Sequence, residues 1–248
     1  MIENPENFIT DTMVILPDGT EQIRRFHDNE KWLSSDYRMS IPGSGINQEQ
    51  TVENVNVCSF HIAKYPVTNQ LYQKIMDSEE GLNSTANLQP KVNISWNDSI
   101  HFCNRISRYF GLSEYYILNN NSSSITFNSN SKGFRLPTDA EWQYACKAGK
   151  SSYQYSDIDQ IAWHKGNSEG HLHNAGERQP NEWGLYDMLG NIWEWTWDLY
   201  NQETHHSYRI FRGGSFAEEP RVCGSTTRRK SHPEFAIDDL GFRLARSM

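Results

Sequence analysis

The groups in this chain that could do chemistry are few and scattered. Four cysteines, Cys58, Cys103, Cys146 and Cys223, stand far apart with no CxxC or similar metal-ligand spacing, so reduced, buried thiols are the expectation. His171 with His173, and His205 with His206, could offer neutral imidazoles to a metal, but a third ligand would have to come from elsewhere. Turn or surface histidines explain the same spacing. Ser215 follows two glycines in FRGGSF, yet there is no GxSxG elbow and no Asp/His pair placed by sequence, so nucleophilic hydrolysis has no support. GSG at 43–45 and GG at 213–214 are too short to cradle phosphates.

The loop DMLGNIWE at 187–194 offers more. Asp187 and Glu194 put carboxylates at its two ends, and the carbonyls of Gly190 and Ile192 are free to point inward. Such a mixture of carboxylate and carbonyl oxygens suits a structural calcium ion. The alternative is that Glu194 pairs with a buried arginine and Asp187 caps a turn.

Elements of regular structure must position these groups. MVILP and YRMSIP in the first fifty residues read as short strands, and VNVCSFHIAKYPV at 55–67 begins as a strand and ends at Pro66. Thr68 then caps a helix that carries Leu71, Ile75 and Met76 on one face. A second helix starts at Ser95 or Asp98, turns Trp96, Ile100, Cys103, Ile106 and Phe110 inward, and ends at Gly111. YYIL and ITF flank an Asn/Ser-rich stretch at 119–131 whose composition is that of a hairpin tip. In RLPTDAEW, Thr138 caps a third helix with Asp139 and Glu141 in its first turn and Trp142 and Ala145 on its buried stripe. After residue 150 the helical signal fades into short strands punctuated by Gly, Pro, Asn and Trp. The expectation is one α+β domain over 1–248, irregular and loop-rich, with few helices and short antiparallel strands, in which residues 1–35 form an N-terminal extension of the same domain.

Composition narrows the function classes. A formal charge of −8 argues against a phosphate-backbone footprint, so no nucleic-acid partner is expected, whereas a basic protein partner would be attracted. No run of about eighteen apolar residues is present to span a bilayer, and the start MIENPENFIT has neither a basic nor an apolar signal region, which leads to the expectation of a cytoplasmic protein without membrane contact. Aromatic residues are 12% of the chain, a third of the 36% that is hydrophobic, so the core is expected to need hydrogen-bond partners for many indole and phenol groups.

Four segments in order, KYPVTNQLY at 64–72, GFRLPTDAEWQYACKAG at 133–149, NEWGLYDMLGNIWEWTWD at 181–198 and FRGGSF at 211–216, followed by LGFRLA at 240–245, resemble the formylglycine-generating-enzyme and sulfatase-modifying-factor family, whose fold is related to C-type lectins. The resemblance covers roughly residues 36 to 248. It implies a copper site made by two cysteines at the third and eighth residues past the Ser of the RGGS motif. Here those positions hold Glu218 and Cys223. A single thiol facing a carboxylate cannot reproduce a two-thiolate cuprous site, so the oxidase activity is not expected, nor is copper. Iron is not expected either, because the ligands of the ergothioneine-type relatives come largely from a histidine-bearing helical domain that nothing here resembles.

The resemblance also places a substrate groove near Trp193, Ser215, Glu218 and Cys223, with TRRKSHPEF at 227–235 along its rim, and it matches the 187–194 loop to one of the family's calcium sites. With catalysis lost and the scaffold kept, the expected function is binding. Some bacterial members act as immunity proteins, and an acidic member fits one that neutralises a basic toxic effector such as a nuclease. The alternatives are a metal-dependent oxidase or oxygenase that uses Glu218 with histidines of the 164–173 segment, and a calcium-assisted carbohydrate-binding protein with Trp195 and Trp197 as stacking platforms.

Overall fold

A computed structural model describes residues 5–26, 50–76, 87–118, 125–200 and 207–248. The strand expected in YRMSIP, the GSG turn at 43–45, the 119–124 part of the Asn/Ser stretch, His205 and His206 lie outside the described residues.

In chain order the elements are helix α1 (Pro5–Thr12), strands β1 (Met13–Leu16), β2 (Gly19–Phe26), β3 (Gln50–Val57) and β4 (Phe60–Ala63), helices α2 (Asn69–Met76) and α3 (Trp96–Tyr109), strands β5 (Tyr116–Leu118), β6 (Ile125–Phe127) and β7 (Phe134–Arg135), helices α4 (Asp139–Lys147) and α5 (Ile158–Ile161), and strands β8 (Trp193–Leu199), β9 (Arg209–Arg212), β10 (Arg228–Ser231), β11 (Leu240–Phe242) and β12 (Ala245–Ser247). Two four-stranded sheets run in the orders β1-β4-β12-β7 and β10-β9-β8-β11, beside the pairs β2-β3 and β5-β6. Pairing is antiparallel except between β11 and β8, where Leu240, Gly241 and Phe242 run parallel to Trp193, Glu194 and Trp195. The fold is α+β with few helices and short strands.

Local chemistry sets the helix starts. Ser95 and Thr138 are both N-caps in reciprocal capping boxes, with Asp98 and Glu141 reaching back to the cap amides. Thr68 Oγ1 accepts from Leu71 N at 3.2 Å. The inward face expected for α3 is buried along its length, from Trp96 to Phe110, and Gly111 follows with φ 70°.

Long-range packing is aromatic. Phe8 of α1 sits against Phe110 and Phe134, which ties the N-terminal helix to the same core as α3 and β7. Trp96 and Trp195 each donate an indole N–H to a backbone carbonyl, of Thr196 and Ile94 respectively, as buried indoles require. A second apolar cluster joins Leu16, Ile62, Trp142, Met188 and Cys223 beneath α4. Asp139, at the start of α4 and almost wholly buried, receives Arg212 and Arg228 from β9 and β10 at 2.5 and 2.9 Å, so one charged node links the helix to the second sheet.

Candidate functional site

The loop at 187–194 is shaped by left-handed backbone. Asp187, Gly190 and Asn191 have φ of 52°, 73° and 60°. Glycine is required at 190, because a Cβ there would lie 2.2 Å from the Trp163 carbonyl oxygen. Asn191 is a hub. Its backbone N–H donates to Trp163 O, its carbonyl accepts from Phe216 N, and its side-chain amide bonds both the N–H and the C=O of His173. In this way the loop fastens the 163–173 segment to the chain that follows the RGGS motif.

Of the four residues expected to hold calcium, Glu194 already has a cation. Arg243, fully buried, gives Nε to Glu194 Oε2 and Nη2 to Oε1, both at 2.7 Å, and Trp142 Nε1 adds a third donor at 2.8 Å. The remaining Arg243 N–H groups go to the carbonyls of Ala63 and Tyr186. The Gly190 carbonyl accepts from Ile192 N. A guanidinium with every donor satisfied, beside a carboxylate with both oxygens engaged, does not fit a calcium ion, because a second cation at Glu194 would face Arg243 at close range. Asp187 differs. Its Oδ2 accepts from Gly176 N at 2.7 Å, but Oδ1 is buried without a partner, and burial pushes the carboxyl up to about 6, offset in part by the Gly176 bond.

The four groove residues converge at the ends of β8 to β11. Glu218 holds Arg229 of β10 through both carboxylate oxygens, at 2.5 and 3.0 Å, and the Arg229 guanidinium lies 4.6 Å over the ring of Trp193. Ser215 Oγ donates to Asp239 Oδ2 at 2.6 Å; Asp239 is buried, its second oxygen has no partner, and burial raises its carboxyl. Cys223 is fully buried, with its thiol pushed up to about 12 by burial and by the neighbouring Glu218 charge. Gly214 admits it closely, since a Cβ there would come within 2.7 Å of the sulfur. A guanidinium–carboxylate pair therefore fills the place beside Cys223, and the thiol itself is protonated and enclosed.

This gives a first expected result. Of the four thiols only Cys58 is exposed, so an aromatic disulfide reagent on native protein should titrate one thiol rapidly and the other three only on unfolding. A second fast thiol would mean that the groove opens to Cys223.

Neither alternative site assembles as expected. Trp195 is fully buried, and Trp197, half-buried, is packed among Trp96, Tyr116 and Phe127 with Arg209 beside it, so both indoles serve the core. His173 Nε2 is bonded to Ser168 O, His164 is bonded to Asp159, and among the described residues no three His, Cys, Asp or Glu side chains group as metal ligands. Sequence reasoning missed Asp239 and Asn191. Arg229 lay in the charged run at 227–235 expected along the groove rim, and Arg243 is the arginine of the LGFRLA segment that the buried-arginine alternative for Glu194 called for.

Comparison with known proteins gives the frame. The chaperone protein LppX of Paenibacillus barcinonensis is 26% identical over 233 residues, 79% of this chain and 82% of LppX. The inactive C-alpha-formylglycine-generating enzyme 2 of Mus musculus is 29% identical over 203 residues, 73% of this chain but 56% of that protein, so the chain spans about half of that relative. The solved structure of Treponema denticola variable protein 1 superposes with a TM-score of 0.76 at 26% identity, covering 95% of both chains. The domain described as sulfatase-modifying factor enzyme 1-like matches residues 1–248, and the chain belongs to that family.

Proposed function

We propose that this chain is a non-catalytic binding protein of the family, and specifically an immunity protein that holds a toxic effector such as a nuclease in the cytoplasm. The observation that carries the non-catalytic reading is Glu218. It stands where the resemblance implies the first copper cysteine, and its carboxylate is tied to Arg229 over Trp193 while Cys223 is sealed beneath. Two relatives named as an inactive enzyme and as a chaperone support loss of catalysis on a retained scaffold. The charge of −8 supports a basic partner, since complementary charge speeds capture and disfavours wrong partners.

The test is affinity capture from the source cells followed by an inhibition assay. A stoichiometric effector enzyme should be recovered, the purified chain should inhibit it, and Arg229→Glu, which sets two carboxylates against each other in the groove, should weaken that inhibition. One redox-active metal per chain together with oxygen uptake on a thiol substrate would overturn the reading in favour of an oxidase.

A further inference from the structure

Beside the groove four planar side chains form a stack. The Arg178 guanidinium carbon and the His173 ring both lie 3.6 Å from the ring of Trp163, His173 nearly parallel at 8°. Two groups at that distance cannot share one face, so Trp163 is sandwiched between them. His171 extends the stack on His173 at 4.5 Å. The histidine end is well anchored, through His173 Nε2 to Ser168 O at 2.9 Å and the Asn191 amide on the His173 backbone.

The arginine end has no such anchor. Among the described residues Arg178 makes no hydrogen bond or ion pair, although the protein carries an excess of acidic residues, and its Nε is buried without a partner. Trp163 Nε1 is also buried without a partner. Two unsatisfied N–H donors thus sit on adjacent stacked groups, one of them a cation. The nearby Glu177 is already engaged, with Asn174 Nδ2 at 3.0 Å and with His173 Nδ1 at 3.6 Å. Buried donors cost stability when unpaired, and native chains leave few of them.

We propose that Arg178 and Trp163 form a binding site for a carboxylate. Stacking on the indole holds the guanidinium fork flat and in place, so little side-chain entropy is lost when it closes on a planar anion. A carboxylate matches that fork with two parallel N–H bonds, and the indole N–H supplies a further donor. A doubly charged phosphate is the poorer ligand, because Glu177 beside the stack repels the second charge. The carboxylate comes from a free organic acid or from an acidic side chain of a protein partner. The site is independent of the groove occupied by Glu218 and of the function proposed above.

The test follows side-chain N–H resonances of the intact protein in two-dimensional 15N spectra, with the Trp163 indole assigned through Trp163→Phe. Acetate and a short acetylated, amidated peptide with a single glutamate are titrated separately to about 50 mM, well above the millimolar Kd that a single ion-pair anchor supports. The Arg178 Nε and Trp163 indole resonances should move together and saturate, and Arg178→Lys, which keeps the charge but loses the fork, should weaken the indole response about tenfold. Saturation by acetate alone assigns a free acid, and tighter saturation by the peptide assigns an acidic protein segment. Resonances that stay fixed with both probes, or an indole that titrates equally in Arg178→Lys and the parent protein, would overturn the proposal.

Discussion

Arg243→Met is expected to lower the unfolding free energy by about 3–5 kcal/mol, the usual cost of removing one partner from a buried ion pair. The reason is what remains. Glu194, itself fully buried, would keep only the Trp142 indole, and the carbonyls of Ala63 and Tyr186 would lose their donor. Total stability of a domain is of order 5–15 kcal/mol, so a urea melt should show a much lower midpoint or the variant should fail to fold. The double variant Glu194→Gln with Arg243→Met then keeps the experiment decisive. Removing both charges while leaving an acceptor for Trp142 should recover a large part of the loss. The same geometry predicts that chelation leaves the parent melting temperature unchanged and that added calcium does not rescue Arg243→Met. Rescue by calcium would show that the loop uses an ion where Arg243 is assigned here.

Asp187→Asn should act in the opposite direction and depend on pH. The Asp187 carboxyl is held at about 6 in the folded chain, against about 3.9 for an unperturbed aspartate, so the folded state binds its proton more tightly. Stability from this group is therefore greatest below about pH 4 and falls as pH rises through 6, by roughly 2–3 kcal/mol at its upper bound. Asparagine can still accept from Gly176 N and tolerates the left-handed backbone at φ 52°, but it carries no charge to bury. Denaturant melts at acid, mildly acid and alkaline pH should show the variant matching the parent at about pH 4 and exceeding it by about 2 kcal/mol at pH 8. A difference that does not change with pH would mean that the carboxyl is not the titrating group.

Several parts of the architecture were legible in the residues because they depend on neighbours a few positions away. Thr138 was readable as a cap, and Ser95 or Asp98 as another, because a cap acts within one turn, and Trp96, Ile100, Cys103, Ile106 and Phe110 were readable as a buried face because helical period alone aligns them. The loss of the cysteine pair was equally plain, since position 218 holds a carboxylate whatever surrounds it.

The sites themselves were decided by tertiary structure. Glu194 could serve calcium or an arginine until β11 lay parallel to β8 and brought Arg243 across 49 positions onto both its oxygens. Trp195 and Trp197 could stack on a sugar or join the core, and packing on Phe211 buried the first while Trp96 and Tyr116 half-buried the second. Arg229 and Arg178 are surface-type residues in sequence, and only the sheet register and the Asn191 hub set one over Trp193 and the other over Trp163. The division has one physical cause. Caps, turns and helical faces are local equilibria set by side chains within a turn or two, whereas the partner of a buried charge is set by which distant segments share a dry interior, where an unpaired charge is too costly to leave alone.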